Sequence, residues 1–327
     1  MKLIKLLTES PWINLSSEFN FLTNPKYENE DICIIWKNKN TIVIGKNQSL
    51  SAEVNQLYAK QHNMNIARRF SGGGSVYQDN GNICFTFIKR NKRKEFEFKK
   101  SLNDIIEFLQ SINIKAYFSG RNDILVDEKK VSGNAVYFYK NDYMIHGTLL
   151  FDVDVEKMVT VLTVDQSKLS SKGIESVRSR VLNLKDKFNG DVLEFEKKLI
   201  SFFETKYNTS CEYINSENDP DVTKICNETF SNNKWIYERD FSFNFTNSLK
   251  TKNGLLTLKL QTENNTIKDI EFFSDSLIAL NIKEIQNIFI NQKYEIDNIK
   301  NICNKIDLNT ILEDLTIDEL INLFFKI

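Results

Sequence analysis

The sequence predicts an α/β (α+β) protein with a large domain over residues 1–249 and a small α+β domain over residues 250–327. Three observations predict it. Short β-branched and aromatic runs alternate with segments whose apolar residues recur at helical spacing, so both strands and helices are expected. Near residue 250 the texture changes to apolar–polar alternation followed by helical patterns. A chain of 327 residues is long enough for one sizeable core and a smaller one beside it.

The elements follow in order. IIWKNKNTIVIGKNQ (34–48) reads as two β-rich runs around a turn at Asn38–Asn40. Ser51 precedes AEVNQLYAKQHN, which reads as a helix capped by that serine. NICFTFIKR (82–90) reads as a buried strand, and Leu102, Ile105, Ile106, Leu109 and Ile112 mark an amphipathic helix. ILV (124–126), VSGNAVYFY (131–139) and YMIHGTLLFDV (143–153) read as strands, and Val192, Phe195, Leu199 and Phe202 mark a further helix. Beyond 250, Leu256, Leu258 and Leu260 alternate with Thr257, Lys259 and Gln261 before a turn at Glu263–Asn265, a hairpin signal. NTILEDLTIDELINLFF closes the chain with a helical pattern.

Composition narrows the function. Net charge is −1 with both signs interspersed, so no basic field points to a nucleic-acid partner. No apolar run is long enough to span a bilayer, and the N-terminal MKLIKLLTESPW lacks the features of a secretory signal. Neither a membrane nor a nucleic acid is therefore expected as partner. Cys33, Cys84, Cys211, Cys226 and Cys303 are scattered without CxxC spacing, which suits a reduced, cytoplasmic protein. His62 and His146 are the only histidines, which excludes a multi-histidine metal site.

Four segments carry chemistry. In ARRFSGGGSVYQDNGN (67–82), Gly72, Gly73 and Gly74 follow Arg68 and Arg69. Glycines let backbone N–H groups approach an anion, and arginine adds a forked charge. Three glycines alone would suit a flexible loop. With the arginines before them and Asp79, Gly81 and Asn82 beyond, a phosphate or carboxylate cradle is the better reading. It is neither a Walker loop nor a dinucleotide fingerprint.

In GRNDILVDEKKVSGNA (120–135), Asn122 and Asp123 begin one strand and Lys130, Ser132 and Gly133 the next. A lysine beside small residues can lie against a phosphate, and an aspartate can hold magnesium. By pattern alone, however, Asp127, Glu128, Lys129 and Lys130 look like a solvated turn. His146 of HGTLLFDVD sits in an apolar run, where a lone histidine is more often a hydrogen-bonded core residue than a catalyst. Lys172, Arg178 and Arg180 of KGIESVRSRVLNL would most simply be a solvated basic helix end or loop.

Together, and in this order, the four segments closely resemble the lipoate–protein ligase A family of the biotin/lipoate ligase superfamily. The resemblance rests on RRFSGGGSVYQDNGN, GRNDI with KVSGNA, HGTLL and KGIESVRSRVLNL. It extends to PWINL, IVIGKNQ and FFSDSL, so it covers essentially the whole chain. Ser75 stands where the family has alanine, Gln78 where it has histidine, and Glu238 where a glycine is common.

The resemblance implies a catalytic domain with a mixed sheet, a C-terminal accessory domain, and ATP-dependent attachment of lipoate to a carrier lysine. Carriers would be the lipoyl domains of 2-oxoacid dehydrogenase acyltransferase subunits and the glycine-cleavage H protein. Lys130 would be catalytic. Arg69, Gly74, Ser75, Val76, Tyr77, Asn82, Asn122, Asp123 and Lys130 would hold ATP or the adenylate, with magnesium on Asp123. Trp36, Val43, Arg69, Ser71, Gly73, Lys130 and His146 would hold lipoate. Two alternatives remain: an ATP-independent lipoyl or octanoyl transferase of the same fold, and a non-catalytic carrier-binding module. A biotin ligase is conceivable, but SGGG and GRND together look like the lipoate branch.

Overall fold

Ser10 and Pro11 start the first helix. The serine hydroxyl accepts the Ile13 N–H, Pro11 sits where a helix needs no backbone donor, and α1 (Pro11–Thr23) follows. The computed structural model describes residues 1–162, 179–237, 245–252, 254–263, 265–276, 283–306 and 315–325. The expectations for Lys172, Arg178, Glu238, Asn264, Leu277 and residues 309–314 lie outside them.

The first compact unit comprises residues 1–44, 53–69 and 75–236. Its strands in chain order are β1 (Lys2–Leu6), β2 (Ile32–Trp36), β3 (Thr41–Ile44), β4 (Asn65–Arg68), β5 (Val76–Gln78), β6 (Asn82–Lys89), β7 (Tyr117–Ser119), β8 (Asp123–Val126), β9 (Lys129–Tyr139), β10 (Asp142–Leu150) and β11 (Cys211–Ile214). Eight of them form one sheet in the order β11-β1-β2-β6-β10-β9-β8-β7. β1 runs parallel to β2 and β11, and the other pairings are antiparallel, so the sheet is mixed. The order β4-β3-β5 makes a separate small sheet.

The two runs around Asn38–Asn40 therefore do not form a hairpin: β2 pairs with β6, while β3 pairs with β4 and β5. Asn40, at φ 46°, helps turn the chain between the sheets. The helix expected after Ser51 is two short ones, α2 (Leu50–Glu53) and α3 (Gln56–Gln61). Ser51 lies inside the first. Asn55 caps the second by accepting the Tyr58 N–H, a contest that two cap-forming residues four positions apart leave open in sequence.

One face of the large sheet carries the core. Phe85, Phe87 and Ile145 pack with Phe108 and Leu109 of α4 (Asn103–Ser111) and with Phe195, Leu199 and Phe203 of α5 (Val192–Tyr207). The Asp191–Glu194 capping box starts α5.

The second unit comprises residues 45–52, 70–74 and 237–327. β12 (Phe245–Thr251), β13 (Gly254–Glu263) and β14 (Thr266–Ser274) form an antiparallel sheet, the last two being the expected hairpin. Leu256, Leu258 and Leu260 bury their alternating face against Phe289, Ile299, Leu320 and Phe324 from the helices at 283–289, 296–303 and 317–325.

Candidate functional site

The geometry around Lys130 begins with a turn. Asp127 and Glu128 both have positive φ (50° and 61°), which closes the β8–β9 hairpin in two residues. The turn is therefore shorter than the charge run suggested, and Lys129 and Lys130 belong to β9. The register shifts between Ile124 and Leu125, with Ile124 opposite Ser132 and Leu125 opposite Lys130. Such a bulge re-aims the side chains around it. Residues 180–182 hold Lys130 from its other side: its N–H donates to the Arg180 carbonyl at 2.8 Å, and its carbonyl accepts the Leu182 N–H at 3.0 Å.

The Lys130 stem then crosses Gly133. A Cβ at that glycine would lie 2.9 Å from Lys130 Cε and 3.0 Å from Nζ, so any larger residue would displace the end of the lysine from this path. The ammonium reaches Asp123, directly opposite Gly133, with Nζ 2.9 Å from Oδ1. The contact is an ion pair without hydrogen-bond alignment, because Oδ1 is buried and lacks a well-directed donor. That oxygen suits a divalent cation. Among the described residues no cluster of His, Cys, Asp and Glu is arranged for a metal. A magnesium ion on Asp123 would thus complete its shell with phosphate oxygens and water, as this cation commonly does.

A second group lies along the same face of the large sheet. Register places Thr86 opposite His146, and His146 opposite Ala135, two residues from Gly133. The Trp36 indole donates to Thr86 Oγ1 at 2.9 Å, and the Thr86 hydroxyl donates to Glu18 of α1. His146 Nδ1 lies 3.1 and 3.3 Å from the two Glu18 oxygens. His146 thus has the hydrogen-bonded, buried character that pattern favoured, and its partner is a carboxylate only 1% exposed. Sequence reasoning missed Glu18. The available signal was a lone acid in the otherwise uncharged helix PWINLSSEFNFLT.

Arg69, Val43, Val76 and Tyr77 meet on the small sheet. Val43 pairs with Val76, and Arg69 donates to the Val43 carbonyl at 3.2 Å. Burial first lowers the Arg69 pKa, to about 10, and the Glu18 charge works against that shift. The arginine remains a cation at neutral pH. Asn82, at the start of β6, donates to the Tyr77 carbonyl at 3.2 Å. Asp79 braces the loop between them by accepting the N–H groups of Gly81 and Asp154 at 2.9 and 3.0 Å. Burial raises its pKa, and those two backbone donors oppose the rise. A Cβ on Gly81 would lie 2.0 Å from the Asp152 carbonyl oxygen, which is why the motif needs glycine there. Gln78 accepts from Asn38 at 2.7 Å.

Ser71, Gly73 and Gly74 fall in the second unit. There Ser71 accepts the Lys46 N–H at 2.9 Å, and Gly73, at φ 90°, donates to the Ser276 carbonyl at 2.5 Å. Cys84 is fully buried; burial, and next the Glu18 charge, push its thiol well above the ordinary range.

Residues 10–204 match the model of the lipoyl protein ligase A/B catalytic domain, and residues 240–324 that of the bacterial lipoate protein ligase C-terminus. The chain belongs to the lipoate–protein ligase family. It is 36% identical over 303 residues to the "Probable lipoate-protein ligase A" of Mycoplasma genitalium, covering 91% of this chain and 90% of that one. Lipoate–protein ligase 1 of Staphylococcus aureus is 34% identical, with 96% of each chain covered. Among solved structures, P. falciparum LipL1 in complex with lipoate superposes with a TM-score of 0.77 at 26% identity, covering 100% of this chain and 99% of that one. The bipartite lipoate protein ligase of Thermoplasma acidophilum, described with its E2 lipoyl domain, shares the fold with a TM-score of 0.66 at 23% identity, covering 75% and 100%. Among the described residues of this ligase-family chain, no helix is long and apolar enough to cross a membrane.

Proposed function

We propose that this chain activates lipoate with ATP and magnesium and transfers the lipoyl group to the lysine of a lipoyl carrier domain. A carboxylate is a poor acyl donor. It attacks the α-phosphate, the bond to pyrophosphate breaks, and lipoyl-adenylate forms. The carrier amine then attacks the acyl carbonyl, forming an amide and releasing AMP. The carriers proposed are acyltransferase subunits of 2-oxoacid dehydrogenases and the glycine-cleavage H protein, in the cytoplasm.

The observation that carries this reading is the Lys130–Asp123 pair. A strand bulge, a glycine path and a bracing segment hold one compact cation beside a carboxylate whose buried oxygen is ion-paired to it but takes no hydrogen bond. Lys130 stabilises charge developing between the acyl oxygen and the α-phosphate, and it is not itself acylated. Asp123 holds magnesium, which neutralises phosphate charge when bound. Arg69, Ser75, Val76, Tyr77, Asn82 and Asn122 contribute to the nucleotide site. Trp36, Val43, Arg69, Lys130 and His146 contribute to the lipoate site. Ser71, Gly73 and Gly74 enter the proposal on their sequence. Residues 1–249 are proposed to carry the chemistry and 250–327 the accessory role.

Intact mass of a carrier after incubation with enzyme, lipoate, ATP and magnesium tests the proposal, with pyrophosphate followed in parallel. One lipoyl addition that vanishes without ATP is expected. An unchanged mass across several carriers would leave only a binding module. Lipoyl or octanoyl transfer without ATP would indicate the transferase. A cysteine-based transferase would also lose activity in Cys84→Ala, whereas the ligase should keep it.

A further inference from the structure

We infer that Asn134 is a positioning residue for the activation step: it fixes Asp123, and through Asp123 the Lys130 ammonium, from the opposite face of the sheet. This rests on the ligase reading above. The β8–β9 ladder ends at the pair Asp123–Gly133. One residue further, side chains take over from backbone. Asn134 Nδ2 donates to the Asn122 carbonyl at 2.8 Å, and Asn122 Nδ2 donates to the Asn134 carbonyl at 2.5 Å. The two amides form a reciprocal clamp on the residue immediately before Asp123.

The neighbouring strand is shaped to admit that clamp. Asn134 lies opposite Gly147 of β10, and a Cβ there would stand 1.9 Å from Asn134 Oδ1 and 2.7 Å from Phe85 Cζ. The glycine of HGTLL is therefore the gap in which the Asn134 amide lies. Ser132 Oγ, two residues away on the same face, donates to Asn134 Oδ1 at 3.2 Å. Asn134 is 4% exposed and points to the core face with Phe85, whereas the Lys130 stem crosses the opposite side at Gly133. It therefore acts on the reacting groups through the backbone at Asn122 and does not touch substrate.

The test uses the full-length enzyme with Asn134→Ala and the near-isosteric Asn134→Leu, which keeps the side-chain volume beside Gly147 if the smaller side chain harms folding. Lipoate-dependent ATP–pyrophosphate exchange should fall about 10-fold or more, with the half-saturating magnesium concentration rising by a similar factor, the scale for losing a group that orients a metal ligand. Transfer from supplied lipoyl-adenylate to a lipoyl domain should change less than about 2-fold, because that step does not need the metal. In an Asp123→Ala background, Asn134→Ala should add no further loss of exchange. Hydrogen exchange of ligand-free protein should quicken over residues 120–126 while β6 and β10 stay protected. Wild-type magnesium dependence in both variants, full additivity with Asp123→Ala, or unchanged exchange over 120–126 would overturn the inference. If wild-type enzyme itself shows no lipoate-dependent pyrophosphate exchange, the ligase reading fails, and the clamp is then judged by hydrogen exchange alone.

Discussion

At the scale of single residues, the site shows how backbone geometry converts an ordinary lysine into a directed charge. Lys129 and Lys130 are adjacent and chemically identical, yet only Lys130 lies at the bulge with its stem over Gly133. Lys130→Ala should lower adenylate formation by about 10²–10³-fold, as expected when one preorganised charge donor is lost. Lys129→Ala should be nearly silent. Pyrophosphate release in single turnovers compares the two, with melting temperature as control; an essential Lys129 beside a dispensable Lys130 would refute the assignment. Asn134, Gly133 and Gly147 belong to the same local logic, since each small or amide side chain leaves room for another to reach its place.

At the scale of elements, α5 is joined to the sheet by charge as well as by phenylalanines. Glu196 lies 2.7 Å from both Lys5 of β1 and Lys37, which follows β2, and all three side chains are no more than 13% exposed. Burial alone would raise the Glu196 pKa; Lys5 and Lys37 overcome it and hold the carboxyl below its ordinary range. Burial prevails at Lys5, whose pKa is lowered despite Glu196. A depressed carboxylate pKa contributes stability that is present above the unfolded value and lost as pH falls through the folded one. Glu196→Gln should therefore destabilise by about 3–5 kcal/mol near neutral pH, leaving two buried ammonium groups without their partner. The difference should shrink as pH drops below the ordinary value of 4.5. Urea melts of both proteins across pH measure this, and a penalty constant down to pH 3 would show that the triad carries no such linkage.

At the scale of the whole molecule, substrate choice depends on groups that only folding assembles. Trp36, Thr86, Glu18 and His146 come from β2, β6, α1 and β10 and satisfy one another through a continuous chain of hydrogen bonds. A ureido group in the proposed lipoate site would have to break that chain or remain unpaired, at about 1–3 kcal/mol per group. An alkyl chain needs only burial, with each methylene contributing about 0.8 kcal/mol. Octanoate should therefore be transferred measurably and biotin little or not at all. Competition between the three acids on one carrier decides it; biotin transfer equal to lipoate would require a polar, open site incompatible with the Trp36 placement.

The sequence by itself determined the elements whose signal is local. Alternation at Leu256, Leu258 and Leu260 specified a half-buried strand, since side chains on a strand repeat every two residues. Apolar spacing specified α5, and ordered motifs identified the family. Tertiary structure decided what depends on distant partners. It separated β2 and β3 into different sheets, moved the helix cap to Asn55, and paired His146 with Glu18 across 128 residues. It also drew Lys130 out of an apparent solvated turn, because a one-residue bulge and the bracing segment at 180–182 leave no periodic trace in the sequence. Local propensity reports the cost of a backbone conformation; a site is set by which backbone lies opposite, and that information resides in the register between strands.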